Sequence, residues 1–518
     1  MVDLTREAAG EAGSELIARD AQAIATNASL AVFGQVVALL AGLACTVLTI
    51  RLLPDRAAYG RFALFFMLLE VVSHFVNWPN MGLVRFGREE LAHEERLGDT
   101  FCARMVIFLG CIVLVGVLLF ASSAPLASYL ALDLPVHRLL LAYVALNGFV
   151  LLAQGVFQTA GDFGAYASTQ AGVKILNLIF LLALFVPQVV RATPGRVLLT
   201  HIGSFSIVAM GSLIALPWRK IWPARPNLRT MARVAAYSWP LLPAGLSALV
   251  VNWIDFVVIR RVAGDAAVGV YAVAYQPVVV LIALNVALMS AVQPLLVSLV
   301  LARRRDALVW YQTDALRQVG WALGMLGVIL SLAAELIPPV VGGRYAAAVE
   351  PCQVLMAGVA FYMFSGFQSA YAKALDKVRS VLLVGVVLAG LNTVLDLALV
   401  PRFGISGAAV ATTAAYAMSG LFYFPILNGD RRFRPERPIS TYLPLLGLAP
   451  TLLMAAASLA FDGVLPRVGV ALGLLFLWGA LARAIGVFPR RTLEVIAGVR
   501  MPSWSRRVVA TFYEVLGS

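Results

Sequence analysis

Charge is scarce in this sequence. Of 518 residues only 13% are charged, against 61% hydrophobic, where an ordinary soluble domain carries roughly 25% charged residues. So few charges cannot cover the surface of a soluble globule of this length, and the hydrophobicity excludes intrinsic disorder. Cysteine and histidine are scarce as well. Cys45, Cys102, Cys111 and Cys352 stand in or beside apolar runs, without the close pairing that zinc or redox chemistry needs, and read as small buried thiols. His74, His93, His137 and His201 are scattered, so their spacing assembles no metal site. A G-x-x-x-x-G-K-S/T phosphate loop is absent and the hydrophilic loops are too short for a nucleotide domain, which excludes ATP chemistry within the chain. No enzyme activity and no cofactor are expected. Period-two alternation is missing too, which excludes a β-barrel.

What the sequence does have is long apolar runs. A bilayer core about 30 Å thick needs roughly 20 apolar residues per helix. On that rule spans lie near 30–53, 61–83, 101–122, 138–160, 169–190, 197–217, 236–260, 270–300, 318–341, 352–373, 381–400, 406–427, 441–461 and 467–488. The expected fold class is an all-α integral membrane protein with about fourteen transmembrane helices.

The net charge of +13 would ordinarily raise nucleic acid as a partner. Its distribution points to a membrane instead. Arg219, Lys220, Arg225, Arg229 and Arg233 follow the sixth span, Arg303, Arg304 and Arg305 the eighth, and Arg431, Arg432, Arg434 and Arg437 the twelfth. The tail adds Arg490, Arg491, Arg500, Arg506 and Arg507, whereas the odd-numbered loops are short and nearly uncharged. All these cations fall on one side, so both termini are expected in the cytoplasm. The first 28 residues hold Asp3, Glu7, Glu11, Glu15 and Asp20 against Arg6 and Arg19, with no A-x-A site, and read as a tail rather than a cleaved signal. The alternation of arginine and apolar residues in 489–518 suits an amphipathic helix on the cytoplasmic leaflet.

The chain also repeats itself. Ile50-Arg51-Leu52-Leu53-Pro54-Asp55-Arg56-Ala57-Ala58-Tyr59-Gly60 is echoed by Ile259-Arg260-Arg261-Val262-Ala263-Gly264-Asp265-Ala266-Ala267-Val268-Gly269, and Gly161-Asp162 before Asn177 by Leu375-Asp376 before Asn392. Six spans separate the units, so both halves enter the membrane in the same direction, as in transporters built from parallel repeats. The expected organisation is a tail (1–28), a six-helix lobe (29–218), a basic cytoplasmic linker (219–235), a second six-helix lobe (236–428), a basic loop (429–440), two extra helices (441–488) and a cytoplasmic tail (489–518).

Three stretches carry a family resemblance. They are Arg51 to Arg88 with Asn80-Met81-Gly82-Leu83-Val84-Arg85; Tyr237-Ser238-Trp239-Pro240 with Trp253-Ile254-Asp255 and Val268-Gly269-Val270-Tyr271; and Asn392 with Leu399-Val400-Pro401-Arg402-Phe403-Gly404-Ile405-Ser406-Gly407. In order and spacing they resemble the polysaccharide-transporter family, the O-antigen-type flippases of the multidrug/oligosaccharidyl-lipid/polysaccharide exporter superfamily. That resemblance implies a twelve-helix core of two lobes, here with two extra helices. It also implies translocation of a lipid-linked sugar from the cytoplasmic to the periplasmic leaflet. Physics supplies the need: taking an ionised head group into hydrocarbon uncompensated costs on the order of tens of kcal/mol. A hydrated, partly cationic cavity between rocking lobes would remove that barrier.

Ionisable and amide groups inside spans are the candidates for lining such a cavity. Glu70, Ser73, His74 and Asn77 share one helical stripe, and Glu70 with His74 reads either as a proton-accepting pair or as an internal hydrogen-bonded pair. Lys174, with Gln170 and Asn177, would meet a phosphate or snorkel to the interface. Arg85, Arg88 and Lys373 would hold a pyrophosphate or serve as positive-inside anchors. Asn147, Gln154 and Gln158 suit sugar hydroxyls or interhelical hydrogen bonds. Asp255 lies near Arg260 and Arg261, where local charge pairing is the plainer reading. Asp396, four residues after Asn392, needs a cross-helix partner and is a candidate for coupling. Tyr271, Tyr275, Tyr362 and Tyr371 would stack on sugars or anchor helix ends. Gly320, Gly324 and Gly327 read as packing residues, and Glu335 as interfacial.

The expected function is therefore a flippase for lipid-linked (polyprenyl-pyrophosphate) oligosaccharide or exopolysaccharide repeat units in a bacterial inner membrane, working by alternating access and coupled to an H+ or Na+ gradient if to anything. Its expected partners are the lipid-linked glycan, the bilayer, and a polysaccharide polymerase and glycosyltransferases. A cation-coupled multidrug exporter of the same superfamily and a non-transporting scaffold for glycan assembly are the alternatives.

Overall fold

A computed structural model describes residues 33–239, 241–301, 303–428 and 443–488. The expected tails and the basic loop 429–440 lie outside the described residues. Within them the chain is helical and holds no strand. The first of two compact units ends at Leu246. It comprises α1 (Phe33–Leu52), α2 (Arg56–Asn77), α3 (Asn80–Glu94), α4 (Gly98–Ala121), α5 (Ser123–Leu130), α6 (Val136–Ala160), α7 (Phe163–Phe185), α8 (Pro194–Ala215), α9 (Trp218–Ile221) and α10 (Leu228–Ser238). The second unit, from Ser247, holds most of α11 (Leu241–Leu301), then α12 (Arg305–Trp310), α13 (Leu316–Ala333), α14 (Ile337–Val341), α15 (Val349–Ala374), α16 (Val378–Asn428), α17 (Leu443–Ala460) and α18 (Val464–Ile485).

Eleven helical stretches among the described residues are long and apolar enough to cross a bilayer. Two of them reverse at a glycine with positive φ, Gly264 at 78° in α11 and Gly404 at 59° in α16. Each therefore folds into two antiparallel segments, and with the shorter α17 the fold supplies the expected fourteen. Helix starts follow from local chemistry. Asp55 accepts from the Ala58 N–H at 2.7 Å and Asp162 from the Ala165 N–H at 2.9 Å, each replacing a helical partner that the first turn lacks.

In the first unit α6 is central, packed against α2, α3, α4, α5, α7 and α8, with Leu140, Val144, Leu152, Ala153 and Val156 fully buried. The segment expected as a basic cytoplasmic linker, 219–235, falls within this unit. The Leu97 N–H donates to Lys220 O at 2.8 Å. Asn227 caps α10 through the Arg229 N–H and reaches Asp99 at 3.2 Å. Ile221 and Val234 are buried, and a side chain at Gly82 would strike Ser238 Oγ.

In the second unit α15 is the central helix, flanked by α13, α16 and α17. The two additional helices are built into this unit. A Cβ at Gly320 would meet Pro444 O at 2.7 Å, one at Gly324 would overlap the Gly447 carbonyl, and one at Gly327 would meet Thr451 Cγ2 at 2.5 Å. Small residues on α13 thus let α17 approach backbone to backbone. Trp478 on α18 donates to Gly447 O at 3.2 Å and joins Trp321, Ala482, Val487 and Phe488 in one apolar cluster.

Candidate functional site

Two polar clusters stand inside the apolar helices, one in each unit. The cluster in the second unit is carried by the two reversing helices. Asp255 and Asp396 lie nine and eight residues before Gly264 and Gly404, so the reversals bring Tyr271 and Thr412 back to the same level. Asp255 is fully buried. It accepts from Tyr271 OH at 2.5 Å, from Thr412 Oγ1 at 3.5 Å and from the Phe256 N–H at 2.9 Å. The local charge pairing expected for Asp255 is not formed, because Arg260 turns to Asp265 at 2.8 Å across the Gly264 reversal. Asn392 donates from Nδ2 to Val251 O and to Asp396 Oδ2, both at 3.2 Å.

Asp396 has no basic cross-helix partner among the described residues. The like charge of Asp255 acts on it. Asp396 Oδ1 and Asn392 Oδ1 are enclosed and accept no hydrogen bond there. Two carboxylates, a carboxamide oxygen and a hydroxyl, with no basic side chain among them, form an all-oxygen acceptor set. Uncompensated negative charge at this depth is costly, and the set suits a proton or a hard cation, which prefer oxygen. Among the described residues no group of three or more His, Cys, Asp or Glu offers a transition-metal site.

The first-unit candidates separate into three places. His74 sets Nε2 3.2 Å from Leu242 O, against Gly245, where a side chain would overlap the ring. Glu70 is exposed, and its charge acts on Lys174 and Tyr143. Glu70 and His74 thus serve different neighbours. Asn77 bonds Ser73 O at 2.9 Å, and Asn147 reaches Ser73 Oγ at 3.4 Å, an interhelical bond between α6 and α2. Gln154 is buried in α6.

Lys174 runs its half-buried stem past Gly42 of α1, with Cys45 donating to its carbonyl at 3.5 Å. Asn177 sits one turn further, buried, accepting from Thr200 Oγ1 at 2.9 Å and lying 3.3 Å from His201 Nε2. Arg85 is exposed in the second turn of α3 with its guanidinium 4.5 Å over the Tyr237 ring, and Arg88 donates to Gln158 O at 3.3 Å. Lys373 is exposed at the end of α15.

Sequence reasoning missed several partners. Arg104, fully buried in α4, donates to Asn80 Oδ1 at 2.8 Å and to Val76 O and Asn77 Oδ1 at 3.3 Å. A charge inside an apolar run was the available signal. His201 packs its ring near Phe62, Phe66 and Tyr143. Asn252 accepts from Tyr416 OH at 3.1 Å and Tyr275 OH at 3.4 Å; its place one turn before Asp255 was the clue.

Comparison with known proteins fits this architecture. Lipid II flippase MurJ, in an inward closed conformation, superposes with a TM-score of 0.60 at 14% identity, over 88% of this chain and 98% of that one. The MATE transporter VcmN of Vibrio cholerae gives 0.57 at 13% identity, over 80% and 99%. A transporter of the MOP superfamily from Pyrococcus furiosus gives 0.55 at 14% identity, over 83% and 96%. At such identities the likeness is one of fold. A search of curated protein sequences finds no significant match. The profile of the family described as polysaccharide biosynthesis protein matches residues 24–300, more than half of the chain. The chain belongs to that polysaccharide biosynthesis protein family.

Proposed function

We propose that this protein is a flippase that moves lipid-linked (polyprenyl-pyrophosphate) oligosaccharide or exopolysaccharide repeat units across the bacterial inner membrane by alternating access. The observation that carries this reading is membership of a polysaccharide biosynthesis family joined to a fold shared with a flippase for lipid II. Translocation makes and breaks no covalent bond, so the protein is not an enzyme on this reading and takes no cofactor. On this reading both termini are cytoplasmic, which the one-sided arginines favour. The bilayer holds the lipid anchor, and a polysaccharide polymerase and glycosyltransferases act before and after it.

The buried oxygen set of Asp255, Asp396, Asn392 and Thr412 is the coupling site, taking H+ or Na+. Its charge is uncompensated by any basic side chain among the described residues, which is the condition under which a translocated cation would be held. In the first unit Lys174, acted on by Glu70, is the polar group offered to the head group, and the buried Asn177 one turn away packs behind it.

The test is flipping in proteoliposomes by the full chain, with a radiolabelled polyprenyl-pyrophosphate oligosaccharide scored by enzymatic access from outside. Time-dependent exposure of the sugar, absent from protein-free vesicles, supports the reading. Extrusion of lipophilic cations with no sugar exposure would assign the protein to multidrug export instead. Neither activity, together with stable association with glycosyltransferases, would make it a scaffold.

A further inference from the structure

One turn from Asp255, on the same helices, lies a second arrangement that the coupling cluster does not use. Asn252 Oδ1 accepts from the Tyr275 and Tyr416 hydroxyls, which are themselves 3.1 Å apart. Tyr362 on α15 sets its ring 4.8 Å from that of Tyr416, and Trp253 lies 6.3 Å from Tyr275. Tyr275 and Tyr416 are buried, whereas Asn252, Trp253 and Tyr362 are half-buried. Among the described residues no hydrogen bond takes up Asn252 Nδ2 or the Tyr362 hydroxyl, and neither atom is enclosed by protein. A carboxamide left half-open within an apolar helix is costly against acyl chains, and a polar ligand on its open side would remove that cost.

We infer that Asn252, Tyr362 and Trp253 form a subsite for a neutral sugar ring of the head group. The inference rests on the flippase reading and names where its substrate is recognised. A sugar ring has an apolar C–H face and a rim of hydroxyls. Tyr362 and Trp253 offer aromatic surface to the first, and Asn252 Nδ2 and the Tyr362 hydroxyl offer a donor and a donor-acceptor to the second. The buried tyrosines fix Asn252 by occupying Oδ1, which leaves Nδ2 aimed outward. Among the described residues no basic side chain donates to Asn252 or Tyr362, and the Asp255 carboxylate one turn away repels a pyrophosphate. The subsite therefore selects the hydroxylated ring and leaves the phosphates to other residues.

The test is binding to the full chain in nanodiscs, followed by tryptophan fluorescence. The probes are farnesyl diphosphate, farnesyl-diphospho-N-acetylglucosamine and tetraphenylphosphonium. Wild type should bind the sugar-bearing probe more tightly than farnesyl diphosphate. Tyr362→Leu and Asn252→Leu should each weaken the sugar-bearing probe roughly tenfold, about the worth of one net hydrogen bond with its contact surface, and leave farnesyl diphosphate unchanged. Tyr362→Phe, which keeps the ring and the fold, should lose less than Tyr362→Leu. Unchanged sugar binding in all three variants, or equal losses for both diphosphates, would overturn the subsite while leaving the flippase reading intact. Failure of wild type to bind either diphosphate would instead overturn the flippase reading. Tetraphenylphosphonium binding lost in the same variants would show an organic-cation site.

Discussion

Arg467, the first basic residue of α18, donates from Nη1 to Glu335 Oε1 at 3.0 Å, with both side chains largely buried. Its Nε and Nη2 reach Phe461 O and Ser458 O, and Glu335 also accepts from Gln353 Nε2 at 2.8 Å. The turn between α17 and α18 is thereby tied to α15 and to the stretch between α13 and α14. Arg467→Ala would strand the Glu335 charge, and breaking such a pair costs roughly 3–5 kcal/mol. A marked fall in melting temperature in detergent is expected, and Glu335→Gln in the same chain should recover part of it. Equal melting of wild type and Arg467→Ala would show the pair to be incidental.

Close approach of α13 and α17 gives a second expectation. Because a Cβ at Gly324 would overlap the Gly447 carbonyl, Gly324→Ala must push α17 outward. Overpacking of this kind costs about 1–3 kcal/mol. Gly110 has open space around its Cβ position, so Gly110→Ala serves as the control and should leave thermal stability unchanged or slightly raised.

Much of this fold is legible in the sequence because a bilayer demands long apolar helices, and because Gly264 and Gly404 sit between runs too long for one crossing. The polar partners are less legible, for a physical reason. A stripe such as Glu70, Ser73, His74 and Asn77 shares a helix face, yet neighbouring helices decide what each side chain meets. His74 goes to α11, Asn77 to α4, and the Glu70 charge acts on α7. Asp255 shows the same limit: the cation five residues away lost to a tyrosine sixteen residues away. In the segment 219–235 the arginines dominate the sequence and mask Ile221 and Val234, the apolar side chains that are buried there.

Arg104 bridges the break between α2 and α3. Pro79 has no N–H to continue the helical ladder, which leaves the Phe75 carbonyl without its helical donor, and beside that break the guanidinium donates to the Val76 carbonyl while its Nε holds Asn80. Lysine cannot reproduce that fork. Arg104→Lys should therefore lower the melting temperature, by roughly one to two lost hydrogen bonds of about 1 kcal/mol each. Asn80→Ala added to it should cost much less than it does alone, since both variants remove the same bond. Full additivity in a double-mutant cycle would contradict this assignment.

The Asp255 and Asp396 cluster makes the most direct claim on transport. A cation that binds only the folded protein stabilises it in proportion to its concentration. If this oxygen set holds Na+, the melting temperature of wild type should rise with sodium at fixed ionic strength; if it holds a proton, it should rise as the pH falls and ignore sodium. Asp396→Asn removes like-charge repulsion with Asp255 and gives up no hydrogen bond from a basic partner, so it should melt at or above wild type without the cation. It should also lose the cation-dependent rise and any cation stimulation of flipping. Asp255→Asn sacrifices a charge-assisted bond from Tyr271 and should melt lower, which separates the two acids: one serves the cation, the other serves both the cation and the fold. Retention of the full cation response in Asp396→Asn would remove Asp396 from the coupling site.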